Sequence, residues 1–135
     1  MVRELTLRPK GPGLWEVTRE IESLVRESGL PEGLCTVFVR HTSASLVIQE
    51  NADPSARRDL EKFLARLVPE GDPLYRHVTE GPDDMPAHVR AALTATSLSI
   101  PILRGKLALG TWQGVYLWEH RREAGERSLV IHIGE

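Results

Sequence analysis

The chemically most varied stretch of the chain is HTSASLVIQENADP, residues 41–54, which includes the only asparagine. Alternate side chains of an extended segment share a face, so His41, Ser43, Ser45 and Gln49 form a polar face opposite a mainly apolar one. A polar face at the end of a covered strand is suited to line a binding site. The alternative is a sheet edge that simply faces solvent.

A second group of candidate residues surrounds the segment VTEGPDDMPA, where His77 and His88 flank Asp83 and Asp84. Imidazole nitrogens and carboxylate oxygens are ligands for divalent ions. The two histidines are too far apart for one helix face, so the loop must fold back to join them. The beginning of the next helix would then direct amide donors at a phosphate. The alternative is a helix cap beside two solvated histidines.

The other reactive side chains are more ambiguous. Glu119 ends an apolar strand beside a basic run, which fits either an ion pair or an acid–base group. Ser43 lies near His41, but no nucleophile-elbow motif is present, which disfavours covalent serine catalysis. His120 is expected at the surface or in an interface, and His132 is expected to be structural. No GxxxxGK[ST] or GxGxxG phosphate-binding motif occurs.

The composition is that of an ordinary single domain, residues 1–135. The chain is 41% hydrophobic and 27% charged with a net charge of −2, which disfavours broad nucleic-acid binding. No apolar run approaches the roughly 20 residues that cross a bilayer, and the N-terminus does not resemble a signal peptide. A single cysteine, Cys35, cannot form an internal disulfide, so we expect a cytoplasmic protein that binds no membrane.

Amide side chains are scarce: the chain has two glutamines and one asparagine. Scarce amides are typical of thermophilic proteins, although a GC-rich genome would equally explain the excess of arginine over lysine. Where amides are generally avoided, those that remain are better candidates for a function. This reasoning favours Gln49, Asn51 and Gln113.

The patterning predicts an α+β domain with a mostly antiparallel sheet and helices covering one face. Asp53 followed by Pro54 is a strong helix start, and Gly29 is a helix stop. We predict strands at 4–9, 34–41 and 44–50, four more strands after residue 96, helices beginning near Leu14, at Pro54 and at Pro86, and a long loop over 69–86.

Some predicted elements are apolar on more than one side. The strand in WQGVYLWEH carries Tyr116 and Trp118 on one face and Val115 and Leu117 on the other. Apolar residues on both faces favour burial in an oligomer. The strand over 34–41 is likewise expected to be covered on both faces. The predicted inner face of the second helix consists of Ala56, Leu60, Phe63, Leu64 and Leu67.

Three segments in register, HTSASLVIQENADP, VPEGDPLYRHVTEGPDDMPAHVRAAL and SIPILRGKLALGTWQGVYLWEHR, closely resemble the YjbQ family of small conserved proteins. The likeness runs from about residue 4 to residue 134. It implies a compact α+β domain that assembles as a homotrimer. It also implies a weak thiamine-phosphate synthase activity, which joins a hydroxymethylpyrimidine diphosphate to a thiazole phosphate.

The resemblance and the residue chemistry together predict one cleft at a subunit boundary, with a phosphorylated small molecule as substrate. The predicted catalytic residues are His41, Ser43, His88 and Glu119. The predicted substrate-binding residues are Ser45, Gln49, Asn51, Asp84, Gln113 and Arg121. The predicted ligands of a divalent metal, zinc or magnesium, are His41, His77 and His88. The alternatives are a trimeric metabolite- or metal-binding protein without turnover and a metal-dependent hydrolase of a phosphorylated small molecule.

Overall fold

Eight strands and three helices make up the protein, and a computed structural model describes all of its residues, 1–135. In chain order the elements are β1 (Val2–Leu7), β2 (Gly13–Glu16), α1 (Thr18–Ser28), β3 (Glu32–Val39), β4 (Ala44–Glu50), α2 (Pro54–Leu67), α3 (Asp84–Leu93), β5 (Ser97–Leu103), β6 (Lys106–Leu107), β7 (Gln113–Glu119) and β8 (Arg127–Gly134). None of the helices is long and apolar enough to span a bilayer. The predicted α+β class is confirmed.

The strands are divided between two antiparallel sheets. The larger sheet has the order β1-β8-β3-β5-β6, and the smaller one has the order β2-β7-β4. The chain passes from β3 in the larger sheet to β4 in the smaller one through residues 40–43. The segment His41–Ser43 is therefore a corner between two sheets and not the turn of a hairpin.

The main hydrophobic core lies between the two sheets. Val37 and Ile131 from the larger sheet, Leu117 from β7 and Ile21 and Val25 from α1 belong to this cluster and are almost completely buried. Burial of such side chains contributes about 1.5–3 kcal/mol each. This core fixes the position of β7 relative to β3 and β8, whose ends carry the residues discussed below.

A smaller core covers the other face of β7. Tyr116 and Trp118 pack there with Leu14 of β2 and with Leu64 and Val68 at the end of α2. Both faces of β7 are thus covered within one chain. The apolar residues on both faces of this strand, which favoured an oligomer, are therefore buried without a second chain.

Two local predictions differ from the structure because of packing with distant parts of the chain. Leu14 lies in β2, opposite Trp118, so the first helix begins only at Thr18. Leu14 matches the helical spacing by coincidence. On α2, Leu64 is buried but Phe63 and Leu67 are more than half exposed, because the helix packs on a sheet of only three strands.

The strand β3 is covered on one face only. Cys35, Val37 and Val39 are buried, whereas Leu34 and Phe38 are 41% and 46% exposed on the outer face of the larger sheet. The expectation of a strand covered on both faces is therefore wrong for the single chain. Its sequence is apolar on both sides, but no helix lies over the outer face.

Candidate functional site

His77, Asp84 and His88 form one group, called here the His–Asp cluster. Nε2 of His77 lies 2.8 Å from Oδ2 of Asp84, and Nε2 of His88 lies 3.1 Å from the same oxygen. The centroids of the two imidazole rings are 5.5 Å apart. One ligand atom from each of the three residues lies within 4.8 Å of the others. The loop folds back as the sequence predicts.

Two arginines at the end of β7 hold the loop that carries His77. Nη2 of Arg121 donates to the carbonyl oxygen of Glu80 at 2.9 Å, and Nη2 of Arg122 pairs with the carboxylate of Glu70. Asp84 and His88 are brought together by the helix itself, because they lie one turn apart on α3 and face the same side. A helix and a braced loop together position the three ligand atoms.

Asp84 is held between the histidines and Arg121. Nη1 of Arg121 donates to Oδ1 of Asp84 at 2.6 Å, and its Nε donates to Oδ2 of Asp83 at 3.0 Å. Burial opposes ionisation of Asp84, but the hydrogen bond with His77 and the charges of His88 and Arg121 outweigh it, so the pKa of the carboxyl lies below its usual value. Asp84 is therefore negatively charged at neutral pH.

The hydrogen bonds of His88 define where its proton lies. Its Nδ1 is 2.9 Å from the carbonyl oxygen of Thr42, which can only accept, so Nδ1 carries the proton. In the neutral ring, Nε2 then presents a lone pair to the charged Oδ2 of Asp84. Two acceptors at 3.1 Å repel each other, so the contact requires either a second proton on the ring or a cation between the two atoms.

The cluster has the donor set of a zinc site. A tetrahedral zinc with bonds of about 2.0 Å separates neighbouring ligand atoms by roughly 3.3 Å; the two contacts with Oδ2 of Asp84 are shorter, at 2.8 and 3.1 Å, and the ligand atoms of all three residues lie within 4.8 Å of one another. A metal-binding histidine commonly donates its other N–H to a backbone carbonyl, as His88 does to Thr42. The side chain of His77 is 49% exposed, which leaves one side of the cluster open. Three protein ligands with an open position are typical of catalytic zinc sites.

His41 does not belong to the cluster. Its Nε2 accepts a hydrogen bond from the amide of Ser128 at 2.8 Å, so the ring faces β8. Burial, with the charge of Arg127, lowers the pKa of His41 and keeps the ring neutral. In the single chain the third ligand atom comes from Asp84, which we predicted as a substrate ligand, and not from His41. The contact between this segment and the cluster is made by the neighbouring Thr42, whose carbonyl oxygen is bound by His88.

Glu119 and Ser43 lie in a buried network. Nε of Arg127 donates to Oε1 of Glu119 at 2.6 Å, and Nη2 of Arg127 contacts Oε2 of Glu119 and Oγ of Ser43. The amides of His120 and Arg121 donate to the same Oε2. Because both carboxylate oxygens are occupied, this geometry favours a structural role for Glu119. The predicted catalytic roles of Glu119 and Ser43 have no support from this arrangement.

The remaining predicted substrate ligands are scattered. Ser45 is fully buried against His120, Asn51 donates to Glu16 at 3.1 Å, and Oε1 of Gln113 accepts from a backbone amide. Gln49 is exposed on β4. None of them belongs to the His–Asp cluster, and their roles in substrate binding stay predictions.

The N-terminus of α3 offers fewer amide donors than expected. The amides of Asp84 and Ala87 are already bound to the carbonyls of Gly81 and Asp83, and Pro86 has no N–H. This helix end therefore has few free amides to offer a phosphate. Sequence reasoning also missed the carbonyl of Thr42, because a backbone acceptor leaves no signal in the residue types.

The comparisons with known proteins agree with one another. A UPF0047 protein of Synechocystis sp. is 57% identical over 96% of this chain and 88% of its own length. The UPF0047 protein YjbQ of Escherichia coli O157:H7 is 42% identical over 97% of this chain and 95% of its own. The crystal structure of a conserved YjbQ/UPF0047 protein of Clostridium acetobutylicum covers 98% of this chain and 99% of its own, with 37% identity and a TM-score of 0.89. The family model described as UPF0047 protein YjbQ-like matches residues 3–135, and this chain belongs to that family.

Proposed function

We propose that the protein is a zinc-dependent enzyme that acts on a phosphorylated small molecule at the His–Asp cluster. The observation that carries the proposal is the hydrogen bond from Nδ1 of His88 to the carbonyl of Thr42. In the neutral ring it turns the lone pair of Nε2 toward the carboxylate of Asp84, and a cation between these atoms, or a second proton on the ring, removes the repulsion. Zinc suits a site of two imidazoles and one carboxylate better than magnesium, which prefers oxygen ligands.

Each residue of the site has a distinct task in this proposal. His77, Asp84 and His88 hold the ion, and Arg121 keeps Asp84 ionised and oriented through its bond to Oδ1. When bound, the zinc ion supplies a Lewis acid that stabilises negative charge on phosphate oxygens. The exposed side of His77 leaves space for the substrate.

Formation of thiamine phosphate, which the family resemblance implies, is the first reaction to test. A diphosphate leaves in this reaction, and charge on a leaving group is what such a site stabilises. Hydrolysis of a phosphate ester is the second candidate, and it is favoured by the solvent-exposed side of the cluster, where water has access.

We expect the purified protein to bind about one zinc ion per chain after dialysis against zinc, and His88→Ala to weaken zinc binding more than about 100-fold. Elemental analysis and a competition titration with a chelator measure both quantities. His132→Ala is the matched control, since it removes an exposed histidine of β8 and should leave zinc content unchanged. Equal zinc binding by the wild type, His88→Ala and His132→Ala, or no zinc binding by the wild type, contradicts the metal site.

An activity assay with both thiamine precursors separates the reactions. Thiamine phosphate formed only when both precursors are present, and lost in His88→Ala but not in His132→Ala, supports the transferase. Phosphate or diphosphate released from one precursor alone supports the hydrolase. Zinc binding without either product overturns the proposed catalysis and leaves a metal-binding protein.

We also propose that the chain forms a homotrimer in the cytoplasm, as the family resemblance implies for the assembly. The open outer face of the larger sheet supports an interface, because Leu34, Phe38 and Leu103 are each more than 40% exposed there. Sedimentation equilibrium should give the mass of three chains, and Phe38→Glu should shift it toward one. A wild-type protein that stays at 15.1 kDa at high concentration contradicts the assembly.

A further inference from the structure

A cavity lies away from the His–Asp cluster, between β2, α2, α3 and the end of β7. Its volume is about 300 Å³, at the lower end of the range for small-molecule sites. Lys62, Arg90, Trp118 and His120 line it, with Leu64 and Glu61 beside them. No residue of the cavity wall belongs to the cluster, so the proposed zinc site makes no use of it.

His120 presents a hydrogen-bond donor to this cavity. The residue is 2% exposed, and its Nε2 lies 2.9 Å from Oγ of Ser45, which is fully buried. The Ser45 hydroxyl has no other acceptor, and an unpaired buried hydroxyl is costly, so it donates to Nε2. The proton of His120 is then on Nδ1, an atom without a protein partner. Burial, with the charges of Arg90 and Arg127, lowers the pKa of His120 to about 3, so the ring stays neutral.

Two cationic side chains add to this donor. Nη2 of Arg90 donates to the carbonyl of Val68 at 2.7 Å, but its buried Nε has no hydrogen-bond partner. Neither Arg90 nor Lys62 forms an ion pair with a carboxylate. The wall therefore holds positive charge that no protein group neutralises by direct contact.

The two carboxylates of the wall cancel only part of this charge. Glu119 is already paired with Arg127, which leaves Glu61, one oxygen of which accepts the amide of Leu14 at 2.7 Å, as the single carboxylate against the two cations. Trp118 and Leu64 supply an apolar surface beside the donors. A wall that combines donors and apolar groups suits a ligand with a charged end and an apolar end.

We propose that this cavity binds a small organic anion, with its carboxylate or phosphate oxygens accepting from Arg90, Lys62 and Nδ1 of His120 and its apolar part against Trp118. This site operates without the zinc ion. It is therefore independent of the function proposed for the His–Asp cluster.

The test is isothermal titration of the full chain, in the presence of a chelator, with phenyl phosphate, benzoate and the uncharged benzyl alcohol. We expect one or both anions to bind and benzyl alcohol not to bind, and the stronger anion identifies the charged group. Lys62→Ala should weaken the binding of the anion about tenfold, because it removes a charged donor. Lys106→Ala, which changes another exposed lysine, on β6, is the matched control and should bind as the wild type does.

The outcomes distinguish this cavity from the zinc site. No heat with either anion, or equal binding by Lys62→Ala and the wild type, overturns the proposal. Binding lost in His77→Ala but kept in Lys62→Ala places the anion at the cluster and also overturns it. Nitrogen-15 NMR gives a second readout: the Nδ1–H form of His120, with a shift of Nδ1 on adding phenyl phosphate, is expected. An Nε2–H form contradicts the donor assigned to the cavity.

Discussion

Arg127→Met is expected to lower the free energy of unfolding by about 3–5 kcal/mol, because it leaves the Glu119 carboxylate buried without its counter-ion. Glu119 is 1% exposed and Arg127 is 5% exposed. Arg127 also donates to the carbonyl and hydroxyl oxygens of Ser43, so the same change removes the bonds that tie β8 to the corner before β4. Urea denaturation at pH 7 measures the loss.

Arg8→Met is the matched control for this variant. Arg8 pairs with Glu126 through one comparable contact, but both side chains are mostly exposed, so its loss should cost less than about 1 kcal/mol. The double variant Arg127→Met with Glu119→Gln removes both charges and should recover part of the stability. If Arg127→Met lowers the free energy of unfolding no more than Arg8→Met does, the Arg127–Glu119 pair is solvated and not buried.

Lowering the pH from 7 to 4 is expected to remove about 3 kcal/mol of stability through His120 alone. Its pKa is about 3 in the folded chain against an ordinary value of 6.5. Between these two pH values the His120 imidazole is protonated in the unfolded chain and neutral in the folded chain. The free energy of unfolding therefore falls by about 1.4 kcal/mol per pH unit as the pH decreases below 6.5, and the contribution is fully present above 6.5.

Urea denaturation at half-unit steps between pH 4 and 7 measures this slope. His120→Gln should flatten the curve relative to the wild type, while His132→Gln, which changes an exposed histidine, should not. The lowered pKa of His41 also makes the protein less stable as the pH falls, and the lowered pKa values of Asp83 and Asp84 do so at the lowest pH values of the series. These groups are present in both proteins, so the difference between His120→Gln and the wild type isolates His120. Coincident curves for His120→Gln and the wild type would contradict a neutral buried imidazole.

The site could be predicted from the sequence where its geometry is local. His77 and His88 meet because the loop between them contains the turn residues needed to fold back, and Asp84 and His88 share a helix face. The helix start at Asp53 and Pro54 was likewise predictable, since Asp53 caps the amide of Ser55 two residues on. Such hydrogen bonds depend on neighbours in the chain.

The sequence could not identify partners that lie far away in the chain. His120 was expected at the surface or in an interface, yet it is buried within the chain against Ser45 because β4 and β7 are neighbours in the smaller sheet. Both apolar faces of β7 are covered within one chain by α2 and the larger sheet, so this strand gives no argument for the oligomer, which stays a prediction. A pattern of alternating residues shows that a face is buried, but it does not identify what buries it.

The sequence by itself determined which metal-binding side chains are available, the family, most of the secondary structure and the approach of His77 to His88. Only the tertiary structure decided that Asp84, and not His41, completes the group of three, and that Glu119 is neutralised by Arg127. The physical reason is that the direction of a side chain at a corner depends on which strands pair beyond it. His41 turns toward β8 because the amide of Ser128, far away in the chain, binds its Nε2.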